Sequence, residues 1–357
     1  MKKILGLLAL LISLQMFMWC VLLIIVLLFS SCSHDADEYQ SPSFPIKENA
    51  GCSILEDELI ISYAYDLCVD DKYVYILSLV EGKWIHVYEK TTGDLVGRYV
   101  SLGQGPDEMA MGTSMGLNIN EDVLFIYDQN LQKLLIYSID KSSKESLLSL
   151  IGSKNFSAYN GVSRRVWQIN DNRYIVDGQL GVQDGKQKRF HYLSDTIMSS
   201  FNTFPVQTSD EEKLFISSKV CFSPSYSKMA TGILYGGILE TFDLSENCIE
   251  SIGTQYFYKP EFVFQAGGIN TTDETVYGFS TLCATEESIY AVLIGKKDSE
   301  ALDNISVFDW RGNPKARYQT DRLNFMLAVD PYIKDRLYSL TFSRENGFGL
   351  VYYDLPE

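Results

Sequence analysis

VDDKYVYILSLVEGKWIHVYEKTTGDLVGRYV, running from Val69 to Val100, decides the fold, because the rest of the chain repeats it. Tyr73 to Leu79 alternates apolar with small or polar positions, and Trp84 to Glu89 does so again. The turn cluster Lys90-Thr91-Thr92-Gly93-Asp94 then leads into a third run, Leu95 to Val100. Three short strands joined by tight turns make a meander, the pattern of one blade of a β-propeller.

Outward from that stretch, the residue that opens the turn into each second strand falls at Val69, Ile119, Ile169, Phe222, Ala284 and Val329. The matching text is VDDKYVYIL, INEDVLFIY, INDNRYIVD, FSPSYSKMA, ATEESIYAV and VDPYIKDRLY: an apolar residue, a polar turn, then a strand. The strand after it often ends in an aromatic and an acid, as at Tyr88-Glu89, Phe242-Asp243, Phe308-Asp309 and Tyr353-Asp354. The ring would fill the wedge between neighbouring sheets and the acid would open the next turn. Six repeats without helical periodicity predict an all-β, six-bladed propeller. The sixth has no outer strand of its own, while Ser53 to Ser62, SILEDELIIS, is a spare strand ahead of the first. Pairing the two would close the ring and cover an open edge.

Composition agrees, since 23 Tyr, 19 Phe and 13% aromatic residues suit a buried β core and not a disordered or coiled-coil chain. The N-terminus stands apart. Lys2 and Lys3 precede Ile4 to Phe29, an apolar run without a charge, which reads as an export or anchoring segment. It ends at Leu28-Phe29-Ser30-Ser31-Cys32, which resembles a bacterial lipoprotein lipobox and implies that Cys32 carries the lipid after cleavage. Phe29 stands where Leu is usual, and a run this long can also span a bilayer uncleaved. Either way residues 33 to 357 would lie outside the cytoplasm, with the membrane as a partner. Asp35, Asp37 and Glu38 behind Cys32 resemble the acidic signal that sends lipoproteins of Gram-negative gut bacteria to the outer face of the outer membrane. The expected division is a signal peptide at 1–31, the lipidated Cys and a polar tether at 32–52, and the propeller at 53–357.

Removing Lys2 and Lys3 from 30 basic residues leaves 28 against 46 acidic ones, a balance that repels phosphate backbones and excludes a nucleic-acid role. Of seven cysteines, Cys20 and Cys32 belong to the export segment. The remaining Cys52, Cys68, Cys221, Cys248 and Cys283 are odd in number, do not form a closed disulfide framework, and read mostly as small packed hydrophobes.

Between the first two repeats lies Gly103-Gln104-Gly105-Pro106-Asp107-Glu108. With the FSPSYSKMA and FDWRGNPKA turns, this stretch is similar to the TolB-like and NHL-like six-bladed propeller lipoproteins of Gram-negative gut bacteria, over roughly residues 53 to 357. The resemblance implies a fold and an envelope location, and no reaction. Gly103, Gly105, Pro106 and Glu108 are its most specific residues. The glycines would permit positive φ and Pro106 would fix the next bend, making either a shaped connection between blades or part of a rim that touches a partner.

Chemistry is sparse. Gly112-Thr113-Ser114-Met115-Gly116 matches a nucleophile elbow by letter, but the next residues, LNINEDVLFIYD, read as a turn and a strand and not the helix the elbow needs. Asp177 and His191 would complete the chain order of a triad from another blade. His86 and His191 lie in strand patterns, and no CxxC, HExxH or calcium-loop spacing occurs, so neither a metal nor a cofactor is expected. Asp70, Asn120, Asn170 and Asp330 begin comparable turns and could ring the channel as metal ligands, although turns demand Asp and Asn anyway. The expected function is an envelope-anchored module that binds a protein, peptide or glycan through loops. Val182 to Lys188 and Lys296 to Leu302 are the first candidates for contact. The alternative is a channel-sited hydrolase, lactonase or dehydrogenase of the six-bladed type.

Overall fold

The computed structural model describes residues 39–356 except 62, 160, 171, 181–188, 195–196, 202–217, 245–247, 266–267 and 344. Strands β1 (Ile46–Ala50) and β2 (Ser53–Leu59) come first. Blade one is β3 (Ala64–Val69), β4 (Tyr73–Val80), β5 (Lys83–Glu89) and β6 (Leu95–Ser101). Blade two is β7 (Gly112–Asn118), β8 (Val123–Asp128), β9 (Lys133–Ile139) and β10 (Leu148–Asn155). Blade three is β11 (Gly161–Asn170), β12 (Arg173–Leu180), β13 (Phe190–Leu193) and β14 (Ile197–Phe201), and blade four is β15 (Lys219–Phe222), β16 (Lys228–Gly232), β17 (Ile238–Asp243) and β18 (Glu250–Tyr256). A hairpin, β19 (Phe262–Gln265) and β20 (Gly268–Thr271), precedes blade five, β21 (Phe279–Ala284), β22 (Ser288–Leu293), β23 (Asn304–Asp309) and β24 (Pro314–Thr320). Blade six is β25 (Leu323–Val329), β26 (Arg336–Ser343) and β27 (Gly347–Asp354). Each blade is an antiparallel meander in chain order, and the fold is an all-β, six-bladed propeller.

All six repeat origins sit where a first strand turns into a second: Val69, Phe222, Ala284 and Val329 end β3, β15, β21 and β25, Ile119 follows β7, and Ile169 lies at the end of β11. We call this end of the ring the upper end. Local chemistry explains the turns. At the lower end of blade one Glu81 and Gly82 both have positive φ, 51° and 73°, the geometry that matches a two-residue hairpin to strand twist. The aromatics before the acids are buried as expected, Tyr88 at 4%, Phe242 at 1%, and Phe308 and Tyr353 at 0% exposure. Asp309 does open its turn, accepting the Arg311 and Asn313 N–H groups at 2.9 Å each.

The core lies between blades. Tyr75, Leu77 and Trp84 of blade one pack with Met115, Leu124 and Ile126 of blade two. Val74, Ile76 and Tyr88 pack with Ala328, Tyr338 and Leu340 across the seam of blades six and one. At that seam β2 runs antiparallel to β27, Ser53 opposite Tyr352 and Leu59 opposite Phe348, so the outer strand of blade six comes from the N-terminal part of the chain.

The expected tether at 32–52 requires a correction over its described part. Gln40 N donates to Tyr256 O at 3.0 Å, and β1 pairs in parallel with β24, Ile46 opposite Ala316 and Ala50 opposite Thr320. Phe44 is 5% exposed, its ring 5.5 Å from that of Phe308 in a cluster with Phe257 and Phe279. Burial of one ring and a ladder of backbone hydrogen bonds hold a segment whose polar letters read as linker. Propeller contacts therefore begin at Gln40, ahead of the expected boundary at Ser53.

Candidate functional site

The six first strands surround the central channel, and its upper mouth gathers residues from all six blades. A cavity of ≈ 170 Å³ there is lined from β3 by Asp66 and Cys68, from β7 by Met115, from β11 by Trp167, from β15 by Cys221, from β21 by Cys283, and from β25 by Ala328. Beside it, between the turns of blades two, three and four, is a groove of ≈ 460 Å³ lined by Asn118, Asn120, Gln168, Asn170 and Arg173 with Phe125.

Tyr226 lines both spaces. It sits in the turn between β15 and β16 with φ of 55°, a conformation in which a bulky side chain is a real outlier. The turn is held from outside. Ser225 N and Oγ donate to the Glu286 carboxylate, 2.6 and 3.0 Å away, on the β21–β22 turn. The phenol reaches from blade four to blade two, donating to Leu117 O at 3.2 Å, and its ring lies 5.5 Å from Phe222 and 6.4 Å from Phe125. Burial raises the phenol pKa, with the neighbouring thiol of Cys68 and carboxyl of Asp66 adding to it, so the tyrosine stays a neutral donor.

Asp66 is the acid of the cavity. Its Oδ2 accepts Met115 N at 2.9 Å and its Oδ1 accepts Leu67 N at 3.0 Å. Burial pushes its carboxyl up to about 6, against the pull of these N–H groups and of Arg165 and Lys219. Burial also pushes the Cys221 thiol up to about 12 and those of Cys68 and Cys283 well up, so all three are protonated and weakly nucleophilic. Each stands one position before a repeat origin, the register held by Asn118, Gln168 and Ala328 in the other blades. That periodicity was readable in the sequence, and it marks residues that line the mouth in four blades and the neighbouring groove, through Asn118 and Gln168, in two.

Ser114 lies on β7, 1% exposed. Its Oγ donates to Val166 O at 2.9 Å and accepts Val166 N at 3.2 Å, which ties β7 to β11. Asp177 is instead clasped by Arg164 and Arg165, and His191 Nδ1 lies 2.8 Å from Ser200 Oγ; the three do not converge. His86 is buried in blade one with Nε2 donating to Ser78 O at 3.0 Å, and burial lowers its pKa. The four turn residues that could have ringed the channel are engaged elsewhere. Asp70 Oδ1 caps its own turn at Lys72 N and Tyr73 N, Asp330 Oδ1 caps Tyr332 N and Ile333 N, and Lys90 Nζ bridges the two turns. Asn120 and Asn170 line the groove. Among the described residues no three of His, Cys, Asp and Glu gather as a metal site.

Gly103, Gly105, Pro106 and Glu108 lie between β6 and β7 at the lower end. Neither glycine has positive φ. Glu108 Oε2 accepts Gly105 N at 2.9 Å and fills the space beside Gly103 that a Cβ would enter, so the bare backbone there lets the carboxylate fold over the loop. Pro106 O accepts Lys133 Nζ at 2.6 Å, which pins the loop to blade two. Lys296 to Leu302 joins β22 to β23, also at the lower end, while Cys32 and Val182 to Lys188 lie outside the described residues.

No curated protein sequence matches the chain. Among solved structures, a Bacteroides fragilis NCTC 9343 protein whose name marks it as exported is similar at 12% identity and a TM-score of 0.54, over 86% of this chain and 98% of that one. A duf4221 family member from Bacteroides vulgatus is similar at 12% identity and 0.53, over 86% and 98%. The calcium-binding protein regucalcin of Agrobacterium tumefaciens is similar at 11% identity and 0.50, over 88% and 98%. These likenesses share the fold and no more. The family model described as TolB-like 6-blade propeller-like matches residues 43–331, and the chain belongs to that family.

Proposed function

We propose that this is an envelope-anchored, extracytoplasmic lipoprotein, tethered through Cys32 on the outer membrane, whose propeller binds a peptide or glycan segment at its upper end. The lipobox-like junction at Ser30-Ser31-Cys32 supports the anchor. The observation that carries the binding reading is the amide-lined groove joined to the apolar mouth at Tyr226. Side-chain amides offer a donor and an acceptor each, which suits hydroxyls and peptide groups alike. Aromatic faces beside such amides, with an apolar recess for a terminal group, are the general form of a small-ligand site.

The test is to screen the purified full chain in detergent against arrayed glycans and peptides, then repeat any binding with Asn170→Leu and Tyr226→Gly. Affinity should fall about tenfold or more in each, equivalent to about 1.4 kcal/mol or more, with the thermal transition retained. Binding that ignores both substitutions, or a turnover lost in Ser114→Ala at unchanged stability, would sink the reading.

A further inference from the structure

We infer that the lower end of the propeller is a lipid-docking face, with Phe325, Phe342, Phe348 and Ile60 seated in the interfacial layer of the membrane that holds the anchor. The four residues come together through strand register. Phe342 ends β26 and pairs with Phe348 at the start of β27, Leu59 of β2 lies opposite Phe348, and Phe325 is near the start of β25. All are thus at the end opposite the groove. The three phenyl rings form a triangle with centroids 5.3, 5.8 and 5.9 Å apart, each edge-on to the others. Packing against one another leaves them little freedom to turn inward. Phe325 is 41% exposed and Ile60 64%, and Tyr63 at 59% continues the same rim towards blade one. A grouped apolar patch on a soluble surface marks an interaction site, and rings of this kind favour the boundary between water and hydrocarbon.

The occupant follows from where the chain reaches the propeller. Gln40 is fastened to Tyr256, and the next residues, Phe257 and Tyr258, bond to Gly237 in the lower turn of blade four. Cys32 is eight residues before Gln40, a reach of at most roughly 29 Å at 3.3–3.6 Å per residue. A lipid on Cys32, as the proposed function holds, therefore keeps the lower end near the bilayer. A second apolar element is at that end: the β19–β20 hairpin between blades four and five, with Val263 41% exposed. Around the phenyl triangle Arg322 is paired with Asp57, whereas Glu58 and Glu345 are exposed acids. The face is built for apolar insertion into zwitterionic lipid and not for attraction to anionic headgroups.

The experiment uses the full lipidated chain reconstituted in phosphatidylcholine–phosphatidylethanolamine vesicles with brominated acyl chains. Phe325→Trp reports on the lower end and Tyr332→Trp, 55% exposed on the upper turn of blade six, reports on the opposite one. Bromine should quench the tryptophan at 325 severalfold more than that at 332, and Ile60→Trp should behave like the former. Equal quenching in a chain that floats with the vesicles overturns the docking face and leaves the anchor standing. A chain that does not float overturns both. Failure of quenching with concentration-dependent dimers in sedimentation overturns the lipid assignment in favour of a second copy.

Discussion

Blades one to four take all their strands from consecutive sequence, whereas blade five gains a fifth strand and blade six its fourth from residues 46–59. The outer strand of blade two, β10, ends its sheet with Ser149, Leu150 and Ile151 exposed in a row. In blades five and six the edge strands are borrowed, β1 laid in parallel on β24 and β2 antiparallel on β27. That borrowing makes the ring depend on two stretches nearly 300 residues apart in sequence, so closure carries a large loop entropy that only the assembled seam repays.

The sharpest way to break this contrast is to remove β27. A chain ended after Asn346 loses the strand on which β2 is laid and the buried Leu350, Val351 and Tyr353. It should give no cooperative melt in circular dichroism, and a soluble product with a normal transition would show that closure is dispensable. Next in size is Phe44→Ala, which empties a seat between Phe257 and Phe308 and should cost about 3–4 kcal/mol, read as a lowered urea midpoint at unchanged slope. Were the cost near zero, β1 would be an ornament on blade five. Smallest is Asp66→Asn, at the seam of the self-contained blades one and two. The folded carboxyl, up at about 6, lies above its unfolded value, so ionisation opposes folding: the stability it leaves intact at acid pH is lost as pH rises from about 4 to 6. Asn should therefore stabilise the protein at pH 7, on the order of 1–2 kcal/mol once the altered hydrogen bonding is counted, and should flatten that pH interval. A melting curve that keeps the wild-type pH dependence would place the titration elsewhere.

The repeat was legible because a blade is local: its strands alternate, and its turns show Asp, Asn and Gly. The spare strand over Ser53 to Ser62 was legible for the same reason. The strand β1 was not, since IKENA has no apolar periodicity and four of its five side chains are exposed; it is held by backbone pairing, to which letters are nearly blind. The mouth was half legible. Asn120 and Asn170 were read as turn residues that could also ring the channel, and they line a groove, because turn chemistry names residue types without saying where they point. Tyr226 was hidden, as nothing in FSPSYSKMA announces a tyrosine held at positive φ by a glutamate from the next blade.

The way the N-terminal segment is fastened also has a mechanical meaning. Any tension carried by the chain ahead of Gln40 enters the propeller through the Gln40–Tyr256 bond and the Phe44 seat. Only after these yield does it reach the β1–β24 ladder, and only after that β2, the latch of the ring. The aromatic seat thus acts as strain relief in front of the closure. A tug that dislodges Phe44 is absorbed at the rim of blade five while the seam between blades six and one stays unloaded.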